Sequence, residues 1–497
     1  MLKHTALNLS GLVVPFVVAA FAIPVTLHGY GPQRYGLLSL AISLLGSFIF
    51  LDMGTALGTV RFTAVALREG RSCDVPAICR SSVRMNAVLG IFFGLLFLAG
   101  GLTIGPAVAG VPPALEREAR SMFVILAPAV PFVTIASAFR GVLEGCERFD
   151  LTNSVKIPTT MLLFLVPAAG AWLGFGIPTV MWLLLASRVF AALWFAACVV
   201  KLYPGVLALR TAGALSFTGP LLRFVGWVGI SYALTPVLIH ADKFLISGLL
   251  GVSFLAPYTA PYELISRVSA VPTSLAVSIY PKFSRERGAV STGDDEKLFR
   301  VSLRALVMVY LPLCLGVILF ARELVGTWLG PQYMEAGAPV LQILMLAFFF
   351  NALSHVPYVV VNGMGRPDVK AKLDLALAVF TVGCGWLMIR TVGISGAAAV
   401  RAAATAADFL VLFFFARRLM RARFAALAPR SVVLLGGLTA TAGIAGLFVQ
   451  GPAVLRAAYC GIVFSVAVFI YARYHYRDDA RILADIVRRL RLPWVAE

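Results

Sequence analysis

Charged side chains lie inside stretches of the sequence that are otherwise apolar. Residues 235–251 carry Asp242 and Lys243 side by side, although a charge at the bilayer centre costs about 2.5–3.5 kcal/mol on insertion scales. Such charges bind ions, pair across helices or line a passage. Successive helical residues point about 100° apart, so the two cannot share one face. We expect Asp242 to face a cavity or an opposing lobe as a coupling-ion or gating residue, and Lys243 to pair across helices or reach outward.

A second pair of charges stands at helical spacing. Glu263 precedes Arg267 by four residues, the acid-before-base order that favours an ion pair within a helix. Arg267 lies near the middle of its apolar stretch, too deep for its side chain to reach either membrane surface. Two interpretations stay open, namely that the pair contacts a substrate or that it is structural.

Other charges are expected to have mainly structural partners. Asp52 lies one to two turns from the inner end of its span, where a helix-packing or gating contact explains it better than direct contact with a substrate. Arg188, and Arg401 with Asp408 two turns further on, lie deep in other spans. For these three residues interhelical ion pairs are the expected arrangement.

The composition indicates that these charges sit in a membrane. Of 497 residues, 60% are hydrophobic and only 13% are charged, which is unlike a soluble domain. Apolar stretches of about 20 residues, the length that crosses a bilayer as a helix, predict an all-α polytopic membrane protein with 14 transmembrane helices. The spans are 8–28, 35–59, 85–104, 121–139, 151–173, 178–200, 222–249, 254–281, 301–320, 336–361, 373–389, 394–416, 431–449 and 453–472.

The basic residues predict the orientation. Most of the 42 Lys and Arg residues lie in the tails and in the loops that follow even-numbered spans, which the positive-inside rule assigns to the cytoplasm. We therefore expect a multi-pass protein of the cytoplasmic (inner) membrane with both termini inside. The basic excess does not indicate nucleic acid, because its distribution follows the spans.

The chain contains a weak internal repeat. The loops GCERFD (145–150) and GMGRPD (363–368) both read G-x-x-R-x-D, and Pro15 of span one matches Pro236 of span seven at a similar offset. Six spans are an even number, so the repeats share one orientation. We predict two six-helix lobes in parallel pseudo-repeat plus two C-terminal helices.

This repeat sets the predicted domains. They are an N-terminal lobe (1–210), a C-terminal lobe (211–425), helices 13 and 14 (426–476) and a cytoplasmic amphipathic tail (477–497). Parallel repeats place a substrate path between the lobes near the bilayer midplane. Pro15 and Pro236 would allow their helices to bend as gates.

Fragments along nearly the whole chain resemble one family. Taken in order, they resemble the bacterial polysaccharide flippases of the multidrug/oligosaccharidyl-lipid/polysaccharide exporter superfamily. The fragments are YGPQRYGLLSLAISLLGSFIFLDMG (30–54), FRGVLEGCERFDLTNS (139–154), ADKFLISGLLG (241–251), WLGPQYMEAGAPVLQIL (328–344) and VGISGAAAVRAAATAADFLVLFFFARRL (392–419).

The resemblance implies a transporter for cell-surface polysaccharide, such as O-antigen or exopolysaccharide. It would flip a lipid-linked oligosaccharide, on an undecaprenyl-diphosphate carrier, from the inner to the outer leaflet by alternating access. Arg267 in its span, and four arginines near inner span ends, would then contact the diphosphate; the four are Arg61, Arg84, Arg140 and Arg304. Membrane lipids, a polysaccharide polymerase and glycosyltransferases are the expected partners, and no cofactor is expected.

Two other classes of protein fit the sequence less well. A drug/cation antiporter of the same superfamily usually has twelve spans and an acid in its first helix, but residues 8–28 contain no Asp or Glu. A membrane enzyme of polysaccharide synthesis would need acid, base or nucleophile residues in an outer loop. The longest outer loops, 105–120 and 321–335, are short and lack His, so catalysis is not expected.

Overall fold

The structure is a computed structural model. It describes residues 2–52, 54–103, 110–207, 235–236, 238–269, 271–273, 275–276, 279, 293–364, 366–420, 462 and 465, with the backbone alone for residues 2–14, 293–294 and 367. Within these ranges the chain is helical and has no β-strand, which confirms the all-α class. Spans thirteen and fourteen, the tail, the first part of span seven and both lobe boundaries lie outside the described residues.

Residue contacts divide the chain into two units. The first unit comprises Met1–Leu264 with Ala378–Gly393, and the second comprises Ile265–Leu377 with Ile394–Glu497. The helices of the first unit are α1 (Leu2–Ser47), α2 (Thr55–Arg68), α3 (Val75–Thr103), α4 (Glu116–Leu126), α5 (Ala129–Gly145), α6 (Phe149–Trp172), α7 (Ile177–Leu202), α8 (238–250) and α9 (Ala256–Ser266).

The second unit has its own set of helices. They are α10 (Gly293–Leu319), α11 (Ala321–Trp328), α12 (Met334–Gly363), α13 (Pro367–Val392, of which the part from Ala378 belongs to the first unit) and α14 (Ile394–Met420). Helix α12 packs against α10 and along α14. Aromatic rings join these helices, since the Phe299 and Phe413 rings lie 5.9 Å apart and those of Phe350 and Phe409 lie 6.4 Å apart.

Helix α1 contains a break that separates two predicted spans. Gly31 has φ 72° and ψ 171°, a conformation that glycine adopts at low cost because it lacks a Cβ. The residues before it correspond to span one, and those after it begin span two. Span two itself is not the single helix predicted for 35–59. It passes from α1 through a 3₁₀ turn (Phe48–Asp52) into α2, which continues to Arg68.

Glycines allow the helices of the first unit to pack closely. Gly141 and Gly145 on α5 are so near α2 that an added Cβ would lie 2.8 Å from the Ala56 carbonyl and 2.7 Å from Thr63. On α3, Gly90 leaves only 2.5 Å between such a Cβ and the Cα of Pro131. Close backbone approach through small residues is a main source of helix association in lipid.

A buried polar seam runs beside these glycine contacts. The Asn86 side-chain amide donates to the Thr55 hydroxyl at 2.7 Å, and the hydroxyls of Thr59 and Ser82 lie 2.6 Å apart. Thr134 of α5 donates to the Asn86 carbonyl at 2.9 Å. Because water is absent from hydrocarbon, these groups satisfy one another across α2, α3 and α5.

Two apolar clusters form the rest of the first unit's interior. Cluster 1 includes residues of α1, α4, α5 and α7, and cluster 2 includes residues of α3, α5, α6 and α7. Helix α7 contributes Leu184 and Leu185 to cluster 1, and Ala191 and Ala192 to cluster 2. Cluster 1 therefore packs against the N-terminal half of α7, and cluster 2 packs against its C-terminal half.

The two loops of the predicted repeat have the same local structure. In each, the arginine N–H bonds to the carbonyl five residues earlier, at 2.9 Å for Arg148 and 3.0 Å for Arg366, as in a Schellman-type helix end. Each guanidinium then makes a two-point contact with the aspartate two residues later, Asp150 at 2.9 and 2.8 Å and Asp368 at 2.9 and 3.2 Å. The shared motif thus gives a shared turn.

In the described part of the chain, nine helical segments are long and apolar enough to cross a membrane. The first of them, Pro15–Asp52, includes the break at Gly31 and so holds the residues of two predicted spans. The nine segments overlap predicted spans one to six and nine to twelve, and none of them covers predicted spans seven and eight. Helices α2 and α3 extend beyond the apolar windows at their basic ends. The total of 14 stays a prediction.

Candidate functional site

Asp242 and Lys243 lie on a helical hairpin formed by α8 and α9. Helix α8 ends at Gly251, whose N–H donates to the Ser247 carbonyl at 2.8 Å and whose φ of 100° suits only glycine. A short 3₁₀ turn, Val252–Leu255, then leads into α9. This tight connection brings the two charged residues of α8 beside the side chains of α9.

Lys243 is buried and has partners on two other helices. Only 1% of its side chain is exposed. Its Nζ atom donates to Oε1 of Glu263 on α9 at 3.0 Å and to the Ser43 hydroxyl on α1 at 3.1 Å, and it lies 4.7 Å from the centroid of the Tyr262 ring. Lys243 therefore pairs across helices, which is one of the two arrangements expected from the sequence.

Asp242 is held inside the same hairpin. Its residue surface is 3% exposed. One carboxylate oxygen accepts the backbone N–H of Lys243 at 2.8 Å, and the other accepts the hydroxyl of Tyr258, which is itself fully buried. Both oxygens thus contact groups of the first unit, and the expected coupling or gating role of Asp242 stays a prediction.

Glu263 connects the buried lysine to a small cavity. The sequence suggested Arg267 as its partner within one helix, but the contact that the first unit provides is Lys243 on α8. The Glu263 side chain is 19% exposed and lines a mostly apolar cavity of about 20 Å³ together with Thr26, Tyr35 and Ser39. Glu263 is therefore the member of the charged hairpin that water or a small ion can reach.

Arg267 lies near the start of the second unit, at a change of helix type. Helix α9 ends at Ser266, and Arg267 starts a 3₁₀ turn that ends at Ser269. Pro272 follows and has no N–H to give to the Val268 carbonyl four residues earlier. The Tyr310 hydroxyl of α10 donates to this carbonyl instead, at 2.6 Å. Arg267 itself is half-buried, and its contact with a substrate stays a prediction.

Asp52 supports the break within span two. It is 1% exposed, and its carboxylate accepts the N–H of Gly54 at 2.9 Å, just before α2 begins. Gly54 has φ 82°, and the side chains of Ser137 and Arg140 on α5 interact with Asp52. This geometry favours the helix-packing interpretation of Asp52 over direct contact with a substrate.

Of the four arginines expected at inner span ends, three lie in the first unit and Arg304 lies in the second. Arg61 and Arg84 are exposed and lie inside α2 and α3, because these helices extend past the predicted span ends to Arg68 and back to Val75. Arg140 is half-buried, with Nε 3.9 Å from Glu144, and Arg304 on α10 is 6% exposed. Their role in binding stays a prediction.

The two prolines proposed as gate elements both lie in helical segments. Pro15 is buried within α1, which continues through it. Pro236 is half-buried at a helical position just before α8. Proline has no N–H to donate within a helix, which makes bending easier at such a position. Bending at these two prolines stays a prediction.

The second unit contains a cluster of three charged side chains that the sequence did not predict as a group. Lys370 on α13 contacts Asp374 at 2.8 Å and Asp408 on α14 at 2.7 Å. Asp408 thus takes part in an interhelical ion pair, as expected from the sequence, and Lys370 is its partner. The four-residue spacing of Lys370 and Asp374 was the available signal, whereas the contact with α14 had none.

Arg188 departs from the expected interhelical ion pair. Among the described residues no carboxylate pairs with it, and its buried Nε atom has no hydrogen-bond partner. The same part of the chain also contains no group of three or more His, Cys, Asp or Glu residues that could hold a metal ion.

Comparison with protein families and curated proteins gives two matches. A family profile described as "Polysaccharide biosynthesis protein" matches residues 31–338. A Shigella flexneri protein described as "Putative O-antigen transporter" is 24% identical over 407 residues, which cover 80% of this chain and 93% of that protein. Both matches agree with the resemblance found in the sequence fragments.

Solved structures share the fold at low sequence identity. A structure described as "Lipid II flippase MurJ, inward closed conformation" has a TM-score of 0.73 at 12% identity and covers 94% of this chain and 99% of its own. An inward-facing multidrug resistance MATE family transporter of the MOP superfamily has a TM-score of 0.65 at 16% identity, covering 83% and 98%. The chain is therefore a multi-pass membrane protein with the fold of these transporters.

Proposed function

Because the chain belongs to the polysaccharide biosynthesis protein family, we propose that it flips a lipid-linked oligosaccharide across the bacterial cytoplasmic membrane. The carrier would be undecaprenyl diphosphate, and the glycan would be destined for the cell surface. The support that counts most is the family match over residues 31–338, a range that contains the buried charged hairpin of Lys243 and Glu263. The protein would act as a transporter and not as an enzyme.

The proposed substrate explains why charges are kept inside apolar spans. An oligosaccharide diphosphate crossing unaided would lose its hydration and bring charge into hydrocarbon. Polar and cationic groups along a protected path lower this cost. Residues with this chemistry include Lys243, Glu263 and Arg267, and Arg61, Arg84, Arg140 and Arg304 extend the set of cations.

Alternating access requires contacts that can change between two conformations. The Lys243–Glu263 pair is a candidate because Glu263 also lines a small cavity. A ligand that binds Glu263, or a proton that neutralises it, would weaken its hold on Lys243. The hairpin would then move with Asp242 as part of the gate, and Pro15 and Pro236 would allow the helices to bend.

The proposed orientation also favours export. With both termini in the cytoplasm, as the basic loops indicate, the anionic head group moves from the negative to the positive side of the membrane. The potential contributes about 2.3 kcal/mol per charge per 100 mV in that direction. A polymerase or glycosyltransferases would act on the lipid before or after the transfer.

The test is deletion of the gene in a strain that displays the surface glycan. We expect the lipid-linked glycan to accumulate on the inner leaflet and the surface glycan to fall, with recovery when the wild-type chain is supplied. Normal surface glycan without accumulation would contradict the proposal.

A drug/cation antiporter is the second candidate, favoured by the shared fold of the MATE family transporter. The same deletion strain separates the two functions. If the protein is an antiporter, the deletion strain becomes more sensitive to drugs and retains cationic dyes, while its surface glycan is unchanged. If it is the flippase, surface glycan falls and drug sensitivity and dye retention are unchanged.

A further inference from the structure

Arg188 lies on the packed side of α7, opposite the side that faces outward from the first unit. The outward side carries Trp182, Phe190 and Leu193, which are 58%, 50% and 62% exposed. At 100° per residue, Arg188 falls instead on the side of Leu184 and Phe195, which are 0% and 6% exposed. Its side chain therefore starts from the packed side of α7, and the residue is half-buried.

This guanidinium has no acid to neutralise it within the described residues. Its Nε atom is buried and has no hydrogen-bond acceptor among the described residues. The ion pairs of the first unit are formed by other basic residues, namely Arg34, Arg71, Arg120, Arg140, Arg148 and Lys243. Arg188 stands apart from all of these pairs.

The rest of the first unit's sequence offers no acid either. Its residues outside the described ranges, 1, 53, 104–109, 208–234 and 237, contain no Asp or Glu, and neither do residues 2–14. The first unit therefore provides no carboxylate that pairs with Arg188.

Arg188 lies between the two apolar clusters of the first unit. Helix α7 joins cluster 1 through Leu184 and Leu185, and it joins cluster 2 through Ala191 and Ala192. Arg188 is eleven residues from the start of α7 and fourteen from its end, about 16–21 Å along the helix. The residue is half-buried, so part of its side chain stays accessible to a ligand although its Nε atom is enclosed.

We propose that Arg188 is an anion-binding residue of the first unit and that its ligand is the phosphate group of the transported lipid head. The assignment to the lipid head rests on the proposed function. Guanidinium presents a planar fork of N–H donors that matches two phosphate oxygens. A lysine would supply the charge without this fork, so the site selects a phosphate-type oxyanion over a simple monovalent anion.

The test uses the purified full-length protein in detergent and follows its thermal unfolding midpoint as inorganic pyrophosphate is added. Sodium chloride at equal ionic strength is the reference. We expect pyrophosphate to raise the wild-type midpoint, and Arg188→Gln to weaken this binding about tenfold or more, the effect of losing a charge-assisted contact. Arg188→Lys should retain part of the effect, and Arg148→Gln, which changes an exposed arginine paired with Asp150, should retain all of it.

Two results would overturn the site. One is an equal shift in wild type and Arg188→Gln, and the other is an equal shift with sodium chloride. A short-chain prenyl diphosphate tests the source of the anion, because tighter binding than pyrophosphate supports the lipid head and equal affinity would overturn that assignment. Removing an unpaired buried charge relieves a cost, so Arg188→Gln is expected to fold.

The outcome is separable from that of the proposed function. If the deletion strain traps the glycan but Arg188→Gln restores export and binds pyrophosphate like wild type, the site is wrong and the flippase stands. If Arg188→Gln abolishes binding while deletion leaves surface glycan normal, the site stands and its link to glycan export is wrong.

Discussion

The Nζ atom of Lys243 lies 3.0 Å from Oε1 of Glu263, and the lysine end of this pair is almost completely enclosed. The contact joins two consecutive helices whose connection turns at Gly251. Because both partners are charged and one of them lines a cavity, the pair combines a structural contact with a group that a ligand can reach.

The first prediction concerns this pair. Lys243→Met leaves Glu263 without its buried partner, and we expect a loss of about 3 kcal/mol in unfolding free energy. Glu263→Gln should cost less, because Gln still accepts a hydrogen bond from Lys243. The double variant should lose less than the sum of the single changes, as measured by denaturant unfolding in detergent. Strict additivity would contradict a direct ion pair.

The second prediction concerns the contact between Asp242 and Tyr258. Tyr258→Phe removes the hydroxyl that the buried carboxylate accepts, and we expect a loss of about 1.5–3 kcal/mol. Phe keeps the ring, so packing is preserved. Asp242→Ala should also abolish glycan export in complementation of the deletion strain. Unchanged export by a stably folded Asp242→Ala chain would remove this residue from the mechanism.

The third prediction concerns two glycines on the same helix. Gly90→Ala places a Cβ 2.5 Å from the Cα of Pro131, and overpacking of this kind costs about 1–3 kcal/mol. Gly100→Ala is the matched control, since its Cβ would meet open space and Ala is the better helix former by roughly 0.5–1 kcal/mol. The unfolding midpoints should therefore shift in opposite directions, and equal shifts would contradict the close contact of α3 with α5.

The fourth prediction concerns Tyr310. Tyr310→Phe leaves the Val268 carbonyl without its donor, at a cost of about 1–3 kcal/mol. Pro272→Ala restores an N–H at the position that would serve this carbonyl in a helix. The cost of Tyr310→Phe should therefore be smaller in the Pro272→Ala background. An equal cost in both backgrounds would mean that the hydroxyl does not replace the missing backbone donor.

The fifth prediction concerns the cluster of Lys370, Asp374 and Asp408. Lys370→Met leaves two nearby carboxylates without their shared cation. Among single changes in this cluster it should therefore lower the unfolding free energy most, by about 3–5 kcal/mol. Asp408→Asn should be milder because Lys370 keeps Asp374. Combining Lys370→Met with Asp408→Asn should recover part of the loss. Thermal unfolding of the three variants checks this order, and a milder Lys370→Met would contradict it.

Much of the fold follows from the sequence because a bilayer restricts what a chain can do. A backbone in hydrocarbon must satisfy its own hydrogen bonds, so apolar length alone predicts helices such as α7 and α12. The motif G-x-x-R-x-D predicts equivalent turns because its contacts join residues only a few positions apart. Local spacing is sufficient wherever the partners are neighbours in the chain.

Partners on different helices were decided by the tertiary structure. Spacing along one helix pointed from Glu263 to Arg267, whereas the packed helices bring Lys243 to Glu263. For Asp408 an interhelical pair was expected without a partner, and packing supplies Lys370. Which face of a helix meets its neighbour depends on rotation and on axial position. In the first unit, those depend on contacts such as that of Gly90 with Pro131, which the one-dimensional pattern does not contain.

The sequence by itself therefore determined which residues carry charge into the membrane and which segments are helical, since both depend on composition and local spacing. Only the tertiary structure decided which of those charges are neutralised. It gave Lys243 a carboxylate partner and gave Arg188 none among the described residues, because the distance between side chains on different helices is fixed by packing and not by their separation along the chain.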